Sequence, residues 1–139
     1  MNWTTEHTER TAGDRAAVWA LWSDVSTWPS WDDGVEDVRI DGPFTAGTRG
    51  RLKPKGGPAV KFELARAEDG SGFVDVTRLP LARMRFEHSL EDAPDGAGTL
   101  ITHRVEITGP LTPLWSRVIG RGIERDLPST LRSLAAQAA

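Results

Sequence analysis

One stretch of this chain keeps a helical period for more than two turns, and it lies at the end. Leu114, Trp115, Val118, Ile119, Ile123, Leu127, Leu131, Leu134 and Ala135 form one apolar stripe, with Arg117, Arg121, Arg125 and Arg132 off it. Pro128 sits inside this pattern and predicts a kink. Nearly all regular structure before residue 110 reads with period two. A sheet with one apolar face needs a cover, and this helix is the one element long enough to supply it.

The strands follow from alternation and turn chemistry. Trp3–Thr11 alternates weakly. Val35–Asp41, Thr48–Lys53, Val60–Arg66, Phe73–Arg78, Arg83–Leu90 and Thr99–Thr108 follow, separated by segments such as PKGGP, Gly70-Ser-Gly72 and Asp92–Gly98. Between the first strand and the rest, Asp14 can cap a helix whose body is Ala16–Trp22. Asp24–Trp31 has room for one further helical turn before the sheet resumes. The middle connections are short, so the sheet is expected to be antiparallel. The predicted class is α+β: seven antiparallel strands wrapped on a C-terminal helix, with two short helices after strand 1, in one domain spanning residues 1–139.

Composition removes several functions. The 139 residues include no cysteine, which excludes thiolate metal sites and cysteine nucleophiles. The net charge of −3 and the dispersed arginines give no nucleic-acid footprint. The polar start MNWTTEHTERTAG lacks the apolar core of a signal peptide, and the run Ala16–Trp22 is too short to span a bilayer. A cytoplasmic protein without integral membrane contact is expected, as a monomer or homodimer. Phosphate-loop, dinucleotide and serine-hydrolase signatures are absent.

Ala17-Val-Trp-Ala-Leu-Trp-Ser-Asp24, Trp28-Pro-Ser-Trp31, Thr102-His-Arg-Val-Glu-Ile-Thr-Gly-Pro-Leu111 and Leu114–Gly122 together resemble a known group. It is the START and birch-pollen-allergen superfamily, often called SRPBCC, and more narrowly its polyketide cyclase/dehydrase-like branch. The resemblance covers nearly the whole chain and implies a helix-grip fold, with a cavity between curved sheet and long helix. It specifies fold better than chemistry, because binders, lipid carriers and cyclases share the scaffold. Trp28 and Trp31 would lie at or under the cavity mouth, or plug the core beside the short helices.

Parity assigns side chains to the concave face. If Leu90 pairs with Ile101, then His88 pairs with His103, Phe86 with Val105 and Met84 with Ile107, all on the apolar side. His7 and Glu9 share parity on strand 1, and Arg66 ends its strand facing inward. From the helix, Trp115, Ile119, Gly122, Ile123 and Asp126 can look toward the sheet. Gly120 and Gly122 weaken the helix and permit close approach of a ligand or the sheet.

Three chemistries compete for this face. A small hydrophobic, aromatic or polyketide-like molecule suits a lining of Trp28, Trp31, Phe62, Met84, Phe86, Val105 and Trp115, and this is the leading expectation. Cyclase, aromatase or dehydratase chemistry would use His88 and His103 as acid–base groups and Arg66 to polarise a carbonyl. The chain has no tyrosine, so no phenol-based mechanism applies. A metal held by His88, His103 and His7 or Glu9 is the third; no close-spaced ligand motif backs it, and no metal or cofactor is assigned. A docking role for the outer face, with Arg49, Arg51, Lys53, Lys61, Arg83, Arg85 and Arg104, competes with a plain salt-bridged surface formed with Glu63, Glu87 and Glu106.

Overall fold

A computed structural model describes residues 2–139. The elements are β1 (Asn2–Thr11), α1 (Arg15–Ser23), a 3-10 turn (Val25–Thr27), α2 (Trp28–Trp31), β2 (Val35–Ile40), β3 (Arg49–Pro54), β4 (Val60–Glu68), β5 (Gly72–Leu79), β6 (Ala82–Asp92) and β7 (Thr99–Thr108). The chain ends with α3 (Thr112–Trp115), a π-helical turn (Ser116–Gly120) and α4 (Arg121–Ala138). The strands form one antiparallel sheet in the order β1-β7-β6-β5-β4-β3-β2. The first strand therefore pairs with the last, as a helix-grip fold requires.

The β6–β7 register is the one that alternation predicts: Met84 opposite Ile107, Phe86 opposite Val105, His88 opposite His103 and Leu90 opposite Ile101. A slip of one residue would send this whole set to solvent, so the apolar pattern selects the register. Asp14 caps α1 by accepting from the Ala17 N–H at 2.9 Å. Arg15 ties α1 to the sheet, donating from Nη1 to the carbonyls of Gly70 and Leu90. Ser30 and Gln137 bond α2 to the end of α4. The short helices thus close one end of the sheet–helix sandwich.

Two apolar clusters make the core. The larger holds Val18, Trp22, Trp28, Trp31, Phe62, Leu64, Phe73, Leu90 and Ile101 with Leu127, Leu131 and Leu134 of α4. The smaller centres on Met84, Val105 and Ile107, with Trp3, Phe86, Trp115 and Ile119 packed on it. Ile123 touches both.

Three expectations need correction. Arg66 does not face inward. A bulge between Leu64 and Arg66 shifts β4 against β5, so the parity reverses and Ala67 takes the inner position. Arg66 is 55% exposed and ion-paired with Glu68 at 2.9 Å. Asp126 is also outside, bonded to Arg125, because Leu127 and not Asp126 points at the core. The α4 helix contains Pro128 within its Arg121–Ala138 span, and a separate irregular turn lies earlier, at Ser116–Gly120. The apolar stripe is wider than the face the sheet covers: Trp115 and Ile119 pack inward, while Leu114 and Val118 are exposed.

Candidate functional site

The inner face of the sheet carries polar groups where the two apolar clusters meet. His7, His103 and His88 stand in register on adjacent strands β1, β7 and β6. Phe73 of β5 completes that row. In the next row Asp75 lies between Leu64 of β4 and Phe86 of β6, and Thr77 lies between Phe62 and Met84 in the row after.

His88 and His103 are buried, with ring centroids 4.5 Å apart. Phe73 stacks on His88 at 3.7 Å, nearly parallel. The His88 Nδ1–H donates to the Phe73 carbonyl at 3.2 Å. That bond fixes the tautomer and leaves Nε2 with its lone pair. Trp22 covers both imidazoles, with centroids 5.8 Å from each, and Trp31 meets His103 edge-on at 6.1 Å.

Burial keeps both histidines neutral. It pushes His88 down to about 3, partly opposed by the bond to Phe73. It lowers His103 too, and the neighbouring His88 adds to the effect. The opposite happens at Asp75, where burial alone raises the carboxyl to about 8. At neutral pH the face therefore offers a protonated acid, Asp75, beside neutral imidazoles that are weak bases and serve as hydrogen-bonding groups.

Two buried nitrogens at this face, Nε1 of Trp22 from α1 and Nε2 of His103, have no hydrogen-bond partner among the described residues. At the open side, the His7 Nε2–H donates to Glu9 Oε1 at 2.8 Å, with the two side chains 31% and 28% exposed. His7 is thus in the histidine row but spends its bond on Glu9. Among the described residues no group of three or more histidine and carboxylate side chains is arranged to hold a metal ion.

The apolar residues expected on this face divide into two sets. Phe62, Met84 and Val105 are buried in the core. Phe86, Trp115, Ile119 and Ile123 are only half-buried, along the first half of the C-terminal helix. Trp28 and Trp31 do not sit at an open mouth. They are buried beneath α1 and α2, Trp28 stacked over Phe62 and donating to the Trp22 carbonyl. A Cβ on Gly120 would approach the Trp3 indole to 2.9 Å, whereas one on Gly122 would meet only Arg125 at 3.8 Å. Close approach is therefore the role of Gly120, toward the sheet. Two open surface depressions, one lined by Arg10–Ala12 with Ala97 and Gly98 and the other by the Ala12–Ala16 turn with Asp92, Gly96, Gly98 and Thr99, do not include the histidines.

Asp75 is the residue that sequence reasoning missed. Its strand shows Val74 and Val76 on one parity and Asp75 and Thr77 on the other, so apolarity points to the wrong inner face. The signal available was Phe73, which shares parity with Asp75.

The chain matches the family described as polyketide cyclase/dehydrase and lipid transport over residues 3–139. It belongs to that family. No curated protein matches it in sequence. Solved structures with the family's fold are more distant. The Zhui aromatase/cyclase from Streptomyces sp. R1128 is 17% identical with a TM-score of 0.77, covering 99% of this chain and 94% of the other. Ara h 8.0201 is 15% identical at 0.73, covering 99% and 98%. Norcoclaurine synthase from Thalictrum flavum is 12% identical at 0.70, covering 98% and 86%. At these identities the neighbours establish the helix-grip fold. Family membership supports binding of a small hydrophobic ligand, or polyketide cyclase activity, in general terms.

Proposed function

We propose that this family member binds a small, flat, aromatic or polyketide-like molecule bearing at least one hydroxyl or carbonyl. It would lie on the concave face, against Phe86, Trp115, Ile119 and Ile123. The observation that carries this reading is the pair of buried nitrogens without partners among the described residues, Trp22 Nε1 and His103 Nε2, with His103 one row of the sheet from half-buried Phe86. Buried polar atoms normally find partners, and an oxygen of the ligand is a suitable one. The family's description and the aromatase/cyclase neighbours favour this ligand class.

Tryptophan fluorescence titrated with hydroxylated polycyclic aromatics tests the reading, together with native mass spectrometry of gently purified protein. Saturable quenching in the wild type and its loss in His103→Leu are expected. No saturable quenching by any member of the panel, with a mass free of any small-molecule adduct, would sink it.

One observation favours a second reading, a cofactor-free cyclase, aromatase or dehydratase. Asp75 is held protonated near neutral pH on the same face as His88 and His103. Asp75 would give a proton to a carbonyl oxygen, and its carboxylate would then take one from the neighbouring carbon, while the neutral imidazoles accept hydrogen bonds that orient the substrate. Arg66 has no part in this scheme, because it lies on the outer face. Asp75→Asn that turns over substrate at the wild-type rate would remove this reading and leave binding standing.

A further inference from the structure

The end of the molecule opposite the short helices exposes apolar side chains that no described residue covers. Leu81 is 66% exposed, Val118 63% and Leu114 47%. Leu81 occupies the two-residue turn between β5 and β6 with φ of 53°, a left-handed conformation that suits glycine or asparagine far better than leucine. The turn is joined to the start of α3, where the Leu111 N–H donates to the Leu81 carbonyl at 3.0 Å and the Trp115 indole donates to the Pro80 carbonyl at 2.9 Å. Leu81 and Leu114 are therefore at the same end.

Arginines surround these residues. Arg117 and Arg121 are exposed like Leu114 and Val118 and lie within a few residues of them along the same helical segment. Just behind the Leu81 turn, Arg78 and Arg83 lie directly opposite each other on β5 and β6. Like charges in that position repel. None of these four has a carboxylate within ion-pair distance among the described residues, although other arginines of the sheet and helix do, such as Arg85 with Glu87 and Arg125 with Asp126. The excess of cations is local, since the whole chain carries −3.

We infer that this end docks on an anionic lipid bilayer, with Leu81, Leu114 and Val118 entering the interface and the four arginines meeting lipid phosphates. Apolar side chains within a basic rim are what such a surface recognises. A polyanion such as RNA would use the arginines but would gain nothing from the exposed leucines and valine. The docking is independent of which small molecule the concave face takes.

Vesicle co-sedimentation tests this with the full chain. The wild type is expected to pellet with phosphatidylcholine/phosphatidylglycerol vesicles, to stay soluble with phosphatidylcholine alone, and to be released by high salt. Arg117→Gln with Arg121→Gln should weaken binding about thirtyfold, since each basic side chain near the surface contributes comparably. Leu81→Asn should weaken it too. Asparagine accepts the left-handed turn, so that variant remains folded and informative even if a helix variant does not. Failure of the wild type to pellet with anionic vesicles would overturn the inference. So would binding that the arginine pair alters and Leu81→Asn does not, which indicates a purely electrostatic partner. A wild-type dimer that Leu114→Ser with Val118→Ser converts to monomer, without vesicle binding, would reassign the patch to a second copy of the chain.

Discussion

His88 and His103 face each other across the β6–β7 ladder, their rings 4.5 Å apart at 76°, under the indole of Trp22. Neither can gain a proton without placing an uncompensated charge in an apolar interior. The pair is therefore a source of acid sensitivity. Its contribution to stability is complete above the ordinary histidine value of 6.5 and is lost as pH falls toward the depressed folded values, about 3 for His88.

Asp75 works in the other direction. Its folded value of about 8 stands above the ordinary 3.8, so its contribution is complete below that ordinary value and is lost as pH rises toward 8. Each group acts with a slope of up to about 1.4 kcal/mol per pH unit. Two histidines outweigh one aspartate on the acid side, and the aspartate acts alone on the alkaline side. Denaturant melts across pH should show a stability maximum near 6.5. A curve flat through this range would contradict the burial of all three groups.

Asp75→Asn keeps the shape and removes the titration. We expect it to raise unfolding stability at neutral pH by about 1–4 kcal/mol and to abolish the decline on the alkaline side. The measurement is the denaturation midpoint of both proteins at acid, neutral and alkaline pH. Equal midpoints at neutral pH would mean that the carboxyl is solvated.

His103→Leu separates folding from function. The substitution removes a buried nitrogen that lacks a partner, and such a group costs about 1–3 kcal/mol. Thermal melts should show the variant at least as stable as the wild type, while ligand quenching falls. A markedly less stable variant would show that His103 is satisfied in solution.

The two glycines of the C-terminal helix should respond oppositely to alanine. Gly120→Ala forces a Cβ against the Trp3 indole and should destabilise by about 1–3 kcal/mol. Gly122→Ala enters open space beside Arg125 and should stabilise by up to about 1 kcal/mol through helix propensity. Comparing the two melts with the wild type checks both signs at once.

Much of this fold is written in local periodicity. Alternating apolar residues on β6 and β7 place His88 beside His103, because each strand can bury only one face and the pairing must match both. Asp14 at the head of α1 and the apolar stripe of α4 are equally local signals, set by capping geometry and by 3.6 residues per turn. The tryptophans of the WPSW segment are also explained by amphipathic burial, for both rings pack into the core under α1 and α2.

The side chains that define the candidate site were decided by contacts between distant segments. The bulge that turns Arg66 outward exists only in the pairing of β4 with β5, and no residue within β4 announces it. Asp75 is carried inward because its strand is flanked by β4 and β6 and shares the row of Leu64 and Phe86, at an electrostatic cost that local propensity would oppose. Which part of the wide helical stripe meets the sheet, leaving Leu114 and Val118 in solvent, depends on how the helix seats against β1 and Trp3. Alternation and helical period are properties of neighbours in the chain. Burial of a charge, the turn of a bulge and the seating of a helix are properties of neighbours in space.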